Sequence, residues 1–84
     1  MWYVYILRSQ SHPDEEYTGA SQNLRHRISD HNAGKSPHTA KCRPWRLLWY
    51  GAFSGKMQAL AFEAYLKSHS GRAFAKKRLI PGFG

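Results

Sequence analysis

The chain has 84 residues, 42% of them hydrophobic, and a formal net charge of +8. This length suits one domain, residues 1–84, with a single modest core. No apolar run reaches the ~18 residues of a membrane span, and the N-terminus lacks the pattern of a signal peptide. Cys42 is the only cysteine, so an internal disulfide is excluded and a cytoplasmic protein is expected.

Acidic residues are scarce in most of the chain. Three of them are consecutive, at 14–16, and after Tyr17 only Asp30 and Glu63 follow. A surface this basic indicates a polyanionic partner, and nucleic acid is the first candidate. An anionic membrane is disfavoured, because no helix joins a large apolar face to a basic one.

The first half of the chain predicts two strands and a helix. Residues 2–7 alternate, with Tyr3, Tyr5 and Leu7 on one face of a strand. A polar hairpin loop at 9–16 leads to an antiparallel strand at 17–20. Ser21 or Asn23 can cap the following helix, and Gly34 ends it. Residues 35–44 are predicted to form a loop.

The second half predicts a third strand at 45–53 and a helix at 55–68, which Ser54 caps. Its apolar set is Met57, Leu60, Ala61, Ala64 and Tyr65, and Phe62 and Leu66 make it apolar almost all round, so we expect the helix to be largely covered. Gly71 is predicted to break it before a short basic helix at 73–80. The fold class is therefore α+β, a small antiparallel three-stranded sheet flanked by helices in the order ββαβα, plus a short C-terminal helix.

Each candidate functional residue has a structural and a functional interpretation. Tyr5 and Tyr17 are core side chains or reactive phenols, and Arg27 and His31 belong to a solvated basic helix face or to a phosphate site. Glu63 forms an i,i+4 ion pair with Lys67 or binds a hard divalent cation. Together, phenols, a guanidinium and an imidazole suit phosphodiester chemistry.

The order and spacing of these residues resemble one family. The first motif is Val4-Tyr5-Ile6 and the second is Tyr17-Thr18-Gly19. The helix carries Asn23-Leu24, then Arg27, then His31-Asn32, and the later stretch carries Ala59, Glu63 and Lys67. Over about residues 2–80 the chain resembles the GIY-YIG nuclease superfamily, and most closely its small stand-alone bacterial members.

The resemblance implies a GIY-YIG-like fold and a metal-dependent endonuclease that hydrolyses phosphodiester bonds in DNA or another nucleic acid. Tyr17 would be the general base or relay, and Tyr5 would orient the attacking water. Arg27 would hold the scissile phosphate, His31 would assist proton transfer, and Glu63 would bind one Mg²⁺ or Mn²⁺. We expect these five side chains to converge on one concave face of the sheet.

Basic side chains are expected to bind nucleic acid in a salt-sensitive manner with little sequence preference. The candidates are Arg25, Lys35, Lys41, Arg43, Arg46, Lys76, Lys77 and Arg78. Exposed tyrosines, tryptophans and arginines could also stack on bases.

The chain departs from the family pattern in three ways. Tyr3 stands where the first motif has glycine, Ala20 stands where the repair nucleases have lysine, and no asparagine follows Asn32. Two alternatives to an enzyme therefore stay open: a non-catalytic nucleic-acid-binding module on the same scaffold, and a structural or protein-interaction role.

Overall fold

The structure, a computed structural model, describes residues 1–80. Three strands and four helices follow in the order ββααβαα: β1 (Trp2–Ser9), β2 (Glu16–Ser21), α1 (Leu24–Asn32), α2 (Pro37–Ala40), β3 (Trp45–Phe53), α3 (Lys56–Lys67) and α4 (His69–Arg78). The predicted strands are all present, and the α+β class is confirmed. The predicted C-terminal helix begins four residues earlier than expected and ends at Arg78.

The sheet is antiparallel, and its strand order is β2-β1-β3. Tyr5 on the central strand pairs with Gly19 on one side and with Tyr50 on the other. The register of β1 against β3 shifts between Ile6 and Leu7, which is the signature of a β-bulge. The bulge lets the β1–β3 pairing continue along the whole length of β1.

Apolar side chains are buried on both faces of this sheet, where the composition predicted only one modest core. Val4 and Ile6 pack against Ala59 and Leu66 of α3. Tyr5, Leu7 and Trp45 form a second cluster on the opposite face, beneath Leu24 and Ile28 of α1. The alternation of β1 produces this division, because successive strand residues point to opposite faces.

Helix α1 begins and ends as its sequence predicts. The side chain of Asn23 accepts a hydrogen bond from the His26 amide at 3.1 Å, and Gly34 adopts a φ of +79° just past the helix end. The short helix α2 lies where a loop was expected. Ser36 precedes it and Pro37 occupies its first turn, the position where a proline is best tolerated in a helix.

Helix α3 is less covered than its apolar composition predicts. Ala59 and Leu66 are buried and Phe62 packs against the same core. Met57, Leu60 and Tyr65 are exposed by 78%, 37% and 41%. The two sets form parallel stripes at helical spacing, so periodicity alone could not choose between them. In addition, Gly55, not Ser54, is the N-cap residue, and no side chain caps the helix.

The break between α3 and α4 falls at Ser68, three residues before the expected Gly71. The Ser68 hydroxyl accepts a hydrogen bond from the Gly71 amide at 3.1 Å and so caps α4. A Cβ atom at Gly71 would lie 1.7 Å from the carbonyl oxygen of Tyr65. Glycine is therefore required here by close helix packing and does not end the helix. Among residues 1–80, no helix is long and apolar enough to cross a membrane.

Candidate active site

The two phenols of the sequence motifs lie side by side at the β1–β2 edge of the sheet. The ring centroids of Tyr5 and Tyr17 are 6.2 Å apart. Gly19 makes this approach possible, because a Cβ atom there would lie 2.6 Å from the Tyr5 hydroxyl oxygen and 2.9 Å from the Tyr17 ring. The glycine of the second motif is thus explained by the space that the phenols occupy.

A buried chain of hydrogen bonds joins β1, α1 and α2. The Tyr5 hydroxyl lies 3.2 Å from Nε2 of His31, and Nδ1 of His31 lies 2.8 Å from the Thr39 hydroxyl. The Thr39 hydroxyl donates to the Ser36 carbonyl oxygen. Thr39 therefore accepts from an Nδ1–H of His31, which leaves Nε2 to accept the Tyr5 proton.

The buried imidazole of His31 favours its neutral form. Burial is the main cause that lowers the pKa of His31, and the charge of Arg27 lowers it further, while Asp30 acts in the opposite direction. Neutral His31 is the form that the hydrogen-bond chain requires, since only a neutral ring can accept at Nε2.

Arg27 lies against both phenols. A hydrogen-bonding interaction with Tyr5 is the largest cause that raises the pKa of Arg27, and Tyr17 adds to it. Burial raises the pKa of Tyr5, although Arg27 partly offsets this effect. Tyr5 is therefore a protonated phenol at neutral pH, and Arg27 is a fixed cation directed at the phenol pair.

Glu63 reaches the site from a different direction. It lies on α3, which packs on the sheet face opposite α1. Its carboxylate forms an ion pair with Lys67 at 2.9 Å, and its charge contributes to the raised pKa of Tyr5. Four of the five expected residues thus meet on one face, whereas Glu63 lies on the helix that packs on the other face and acts on Tyr5 through its charge.

The ligands available for a cation near this site are few. Within residues 1–80, no group of three His, Cys, Asp or Glu side chains could hold a metal ion. Glu63 supplies a single carboxylate, and its side chain is 18% exposed. Mg²⁺ commonly takes one or two carboxylates and fills its other positions with water and substrate phosphate oxygens. Glu63 fits that mode and does not fit an all-protein cage.

The eight basic residues expected to contact nucleic acid are all exposed, and they divide between two surfaces. Three belong to α4, which packs with α3: Lys76, Lys77 and Arg78. The other five lie on or beside α1, α2 and β3: Arg25, Lys35, Lys41, Arg43 and Arg46. Four of these five lie on or beside α1 and α2, on the side of the sheet that carries Arg27. Arg46 lies between Trp45 and Leu47 on β3, and strand alternation directs it to the opposite face.

Two polar residues support the site in ways that the sequence did not indicate. Thr39 orients His31, as described above. The Asn32 side chain donates to the Trp45 carbonyl oxygen at 3.2 Å and accepts from the Trp45 amide, which ties the end of α1 to β3. The Ser36-Pro37 pair, a helix-start signal, could have revealed α2, but no local pattern reveals that Thr39 meets His31.

Comparison with known proteins shows which protein family this chain belongs to. The model of the family described as the GIY-YIG catalytic domain matches residues 1–78. The chain therefore belongs to the GIY-YIG family, a nuclease-type family, as the spacing of its motifs predicts. Nucleic acid is accordingly the class of substrate that the family indicates.

Two bacterial proteins are similar to this chain over most of its length. A UPF0213 protein of Staphylococcus haemolyticus is 38% identical over 69 residues, which cover 81% of this chain and 82% of that protein. The solution NMR structure of a UPF0213 protein from Bacillus halodurans has a TM-score of 0.58 and 30% identity, covering 99% of this chain and 92% of that one. The fold of this chain is thus similar to that of a small bacterial protein.

A larger relative is similar over one part only. The structure-specific endonuclease subunit SLX1 homolog of Giardia intestinalis is 38% identical over 65 residues, which cover 73% of this chain but 18% of that protein.

Proposed function

We propose that this protein is a metal-dependent endonuclease that hydrolyses phosphodiester bonds in nucleic acid, with DNA as the first substrate to test. The observation that carries the proposal is the position of Arg27 against the hydroxyls of Tyr5 and Tyr17. A guanidinium binds two phosphate oxygens at once. A phosphate held there would lie beside both phenols.

Each residue of the site has a separate role in the proposed hydrolysis. Arg27 holds the scissile phosphate and offsets the charge that develops in the transition state. Tyr17, half-buried beside the His31 ring at a centroid distance of 4.7 Å, acts as the base or relay for the attacking water. Tyr5 donates a hydrogen bond to His31, so its oxygen lone pairs are directed toward Arg27 and the water. Neutral His31 can accept a proton through Tyr5.

Glu63 would hold one Mg²⁺ or Mn²⁺, together with water and phosphate oxygens. Such an ion supplies Lewis-acid polarisation of a phosphate oxygen. Lys67 occupies the Glu63 carboxylate in this structure. Because the Lys67 side chain is 52% exposed, it can swing into solvent at little cost and release the carboxylate.

The ion pair between Glu63 and Lys67 also favours the second candidate function, a non-catalytic nucleic-acid-binding module. In that case Glu63 only stabilises α3, and Arg27 with the basic surface binds phosphates without cleavage. Both functions are compatible with a cytoplasmic protein that keeps Cys42 reduced.

A nuclease assay separates the two candidates. The purified protein is incubated with duplex, nicked, branched and single-stranded DNA, and with single-stranded RNA, in the presence of Mg²⁺, Mn²⁺ or EDTA. Metal-dependent cleavage of at least one substrate that is lost in the Arg27→Ala variant supports the endonuclease. Binding without cleavage in every combination supports the module instead.

A further inference from the structure

A groove of about 470 Å³ lies between α1 and β3 on the same sheet face as Tyr5. This volume is in the range of pockets that hold small organic groups, roughly 300–1,000 Å³. The side chains that line it include Tyr3, Gln22, Leu24, Arg25, Ile28 and Tyr50.

The floor and wall of the groove are apolar and aromatic. Leu24 and Ile28 of α1 form one side, with Leu47 of β3 beneath. The rings of Tyr3 and Tyr50 meet edge to face, with centroids 6.1 Å apart and planes at 61°. Tyr50 nevertheless remains 52% exposed. An exposed ring above an apolar floor is a platform on which a flat aromatic group can stack.

The rim of the groove carries polar groups of the kind that recognise a base. Gln22 and Arg25 are both exposed. The Asn23 oxygen is engaged in the cap of α1, so Gln22 supplies the accessible amide, with one acceptor and two donors. Arg25 supplies a positive charge for the adjoining phosphate.

The groove lies close to the site around Arg27. Tyr50 pairs in register with Tyr5 across β1 and β3, and Tyr3 is two residues before Tyr5 on the same face. On α1, Arg25 and Arg27 flank the buried stripe of Leu24 and Ile28 on opposite sides. A strand held at Arg27 can therefore pass over the first turn of α1 and reach the groove.

We infer that this groove binds an unstacked nucleobase from the strand whose phosphate Arg27 holds. The inference rests on the nucleic-acid part of the proposed function, and it does not require cleavage. It assigns a role to Tyr3, the residue that stands at the glycine position of the first motif. The groove accepts a base whichever sugar carries it, since its polar groups face the base and the phosphate.

The experiment measures how much binding depends on bases. Fluorescence anisotropy gives the affinity of the whole chain, in EDTA, for a short single-stranded DNA and for the same backbone made entirely abasic. A single-stranded RNA forms a second arm. The variants are Tyr50→Ala, which removes the ring, and Tyr50→Phe, which keeps it. Tyr65→Ala is the matched control, because Tyr65 is an exposed tyrosine on α3.

We expect wild type, Tyr50→Phe and Tyr65→Ala to bind the DNA with bases about tenfold more tightly than the abasic backbone, the gain expected from stacking one base. Tyr50→Ala should bind both about equally. A base preference that persists in Tyr50→Ala would contradict base binding in this groove. Equal binding of both ligands by wild type would contradict it as well. Neither result would affect the proposed phosphate contacts. If the wild-type protein binds none of the ligands at low salt, both the nucleic-acid function and base binding in the groove are contradicted.

Discussion

The Tyr5 hydroxyl lies 3.2 Å from Nε2 of His31, and these side chains are 1% and 0% exposed. A strand and a helix are thus joined by a buried polar contact between residues 26 positions apart. Because burial strengthens such a contact and makes an unpaired partner costly, the pair holds the two motifs in one arrangement before any substrate arrives.

Thr39→Val should lower the free energy of unfolding by about 1–3 kcal/mol, since it leaves the buried Nδ1–H of His31 without an acceptor. Urea unfolding measures the change. Thr39→Ser keeps the hydroxyl and should recover most of the loss. Equal stability of the valine variant and wild type would show that Thr39 does not satisfy His31.

The stability of the fold should decrease as the pH falls from about 7.5 to about 5.5. Burial lowers the pKa of His31 in the folded state, whereas in the unfolded state the ring protonates near its ordinary value of about 6.5. Below that value the unfolded state binds a proton that the folded state does not, so protonation favours unfolding. The contribution of His31 is at most about 1.4 kcal/mol per pH unit.

Urea unfolding across this pH range, compared between wild type and His31→Gln, isolates that contribution. The variant should show the flatter profile. His12→Gln, at an exposed histidine, is the matched control and should follow wild type. Parallel profiles for wild type and His31→Gln would contradict the assignment of a buried neutral His31.

Arg27→Lys should reduce cleavage by about 10²–10³-fold and change nucleic-acid affinity much less. Lysine keeps the positive charge but loses the two-pronged hydrogen bonding that matches phosphate oxygens in the transition state. Arg27→Ala should weaken both binding and cleavage. Arg72→Lys, at an exposed arginine of α4, is the control, and an equal loss in that variant would remove the special role of Arg27.

Glu63→Gln should abolish metal-dependent cleavage while binding stays equal or becomes tighter, since a negative charge is removed from a basic protein. Folding should survive, because the lost pair with Lys67 contributes only a few tenths of a kcal/mol on a helix. Cleavage and anisotropy assays measure the two effects. Glu15→Gln, in the exposed hairpin loop, is the control, and unchanged cleavage by Glu63→Gln would exclude Glu63 as the metal ligand.

Nucleic-acid affinity should fall steeply with salt and show little sequence preference, because lysine and arginine release counterions from phosphates. Lys41→Gln should reduce the slope of log K against log[salt] by about 0.7–0.9 if Lys41 contacts one phosphate. Lys56→Gln is the matched control, since Lys56 lies over the Trp2 ring and outside the expected contact set. Identical slopes for Lys41→Gln and wild type would remove Lys41 from the interface.

The helix starting at Leu24 and the three strands could be predicted because their signals are local. Asn23 caps the helix through an amide three residues away, and the alternation of β1 follows from strand geometry. The covered face of α3 could not be predicted, because its two apolar stripes have the same period. Only the sheet beneath the helix decides that Leu66 is inside and Tyr65 outside.

In the candidate site, too, some features could be predicted from the sequence and others depended on packing. The spacing of motifs in the chain identified Tyr5, Tyr17, Arg27 and His31 as a set, since their offsets reflect neighbouring turns and strands. The sequence could not show that Thr39 completes the set or that Glu63 approaches from the opposite face of the sheet. Those relationships depend on where distant segments pack, and packing is decided by the shape of the whole core rather than by near neighbours. The sequence by itself therefore determined the family and the candidate site residues, and the tertiary structure decided their partners, their burial and the face of the sheet on which each one lies.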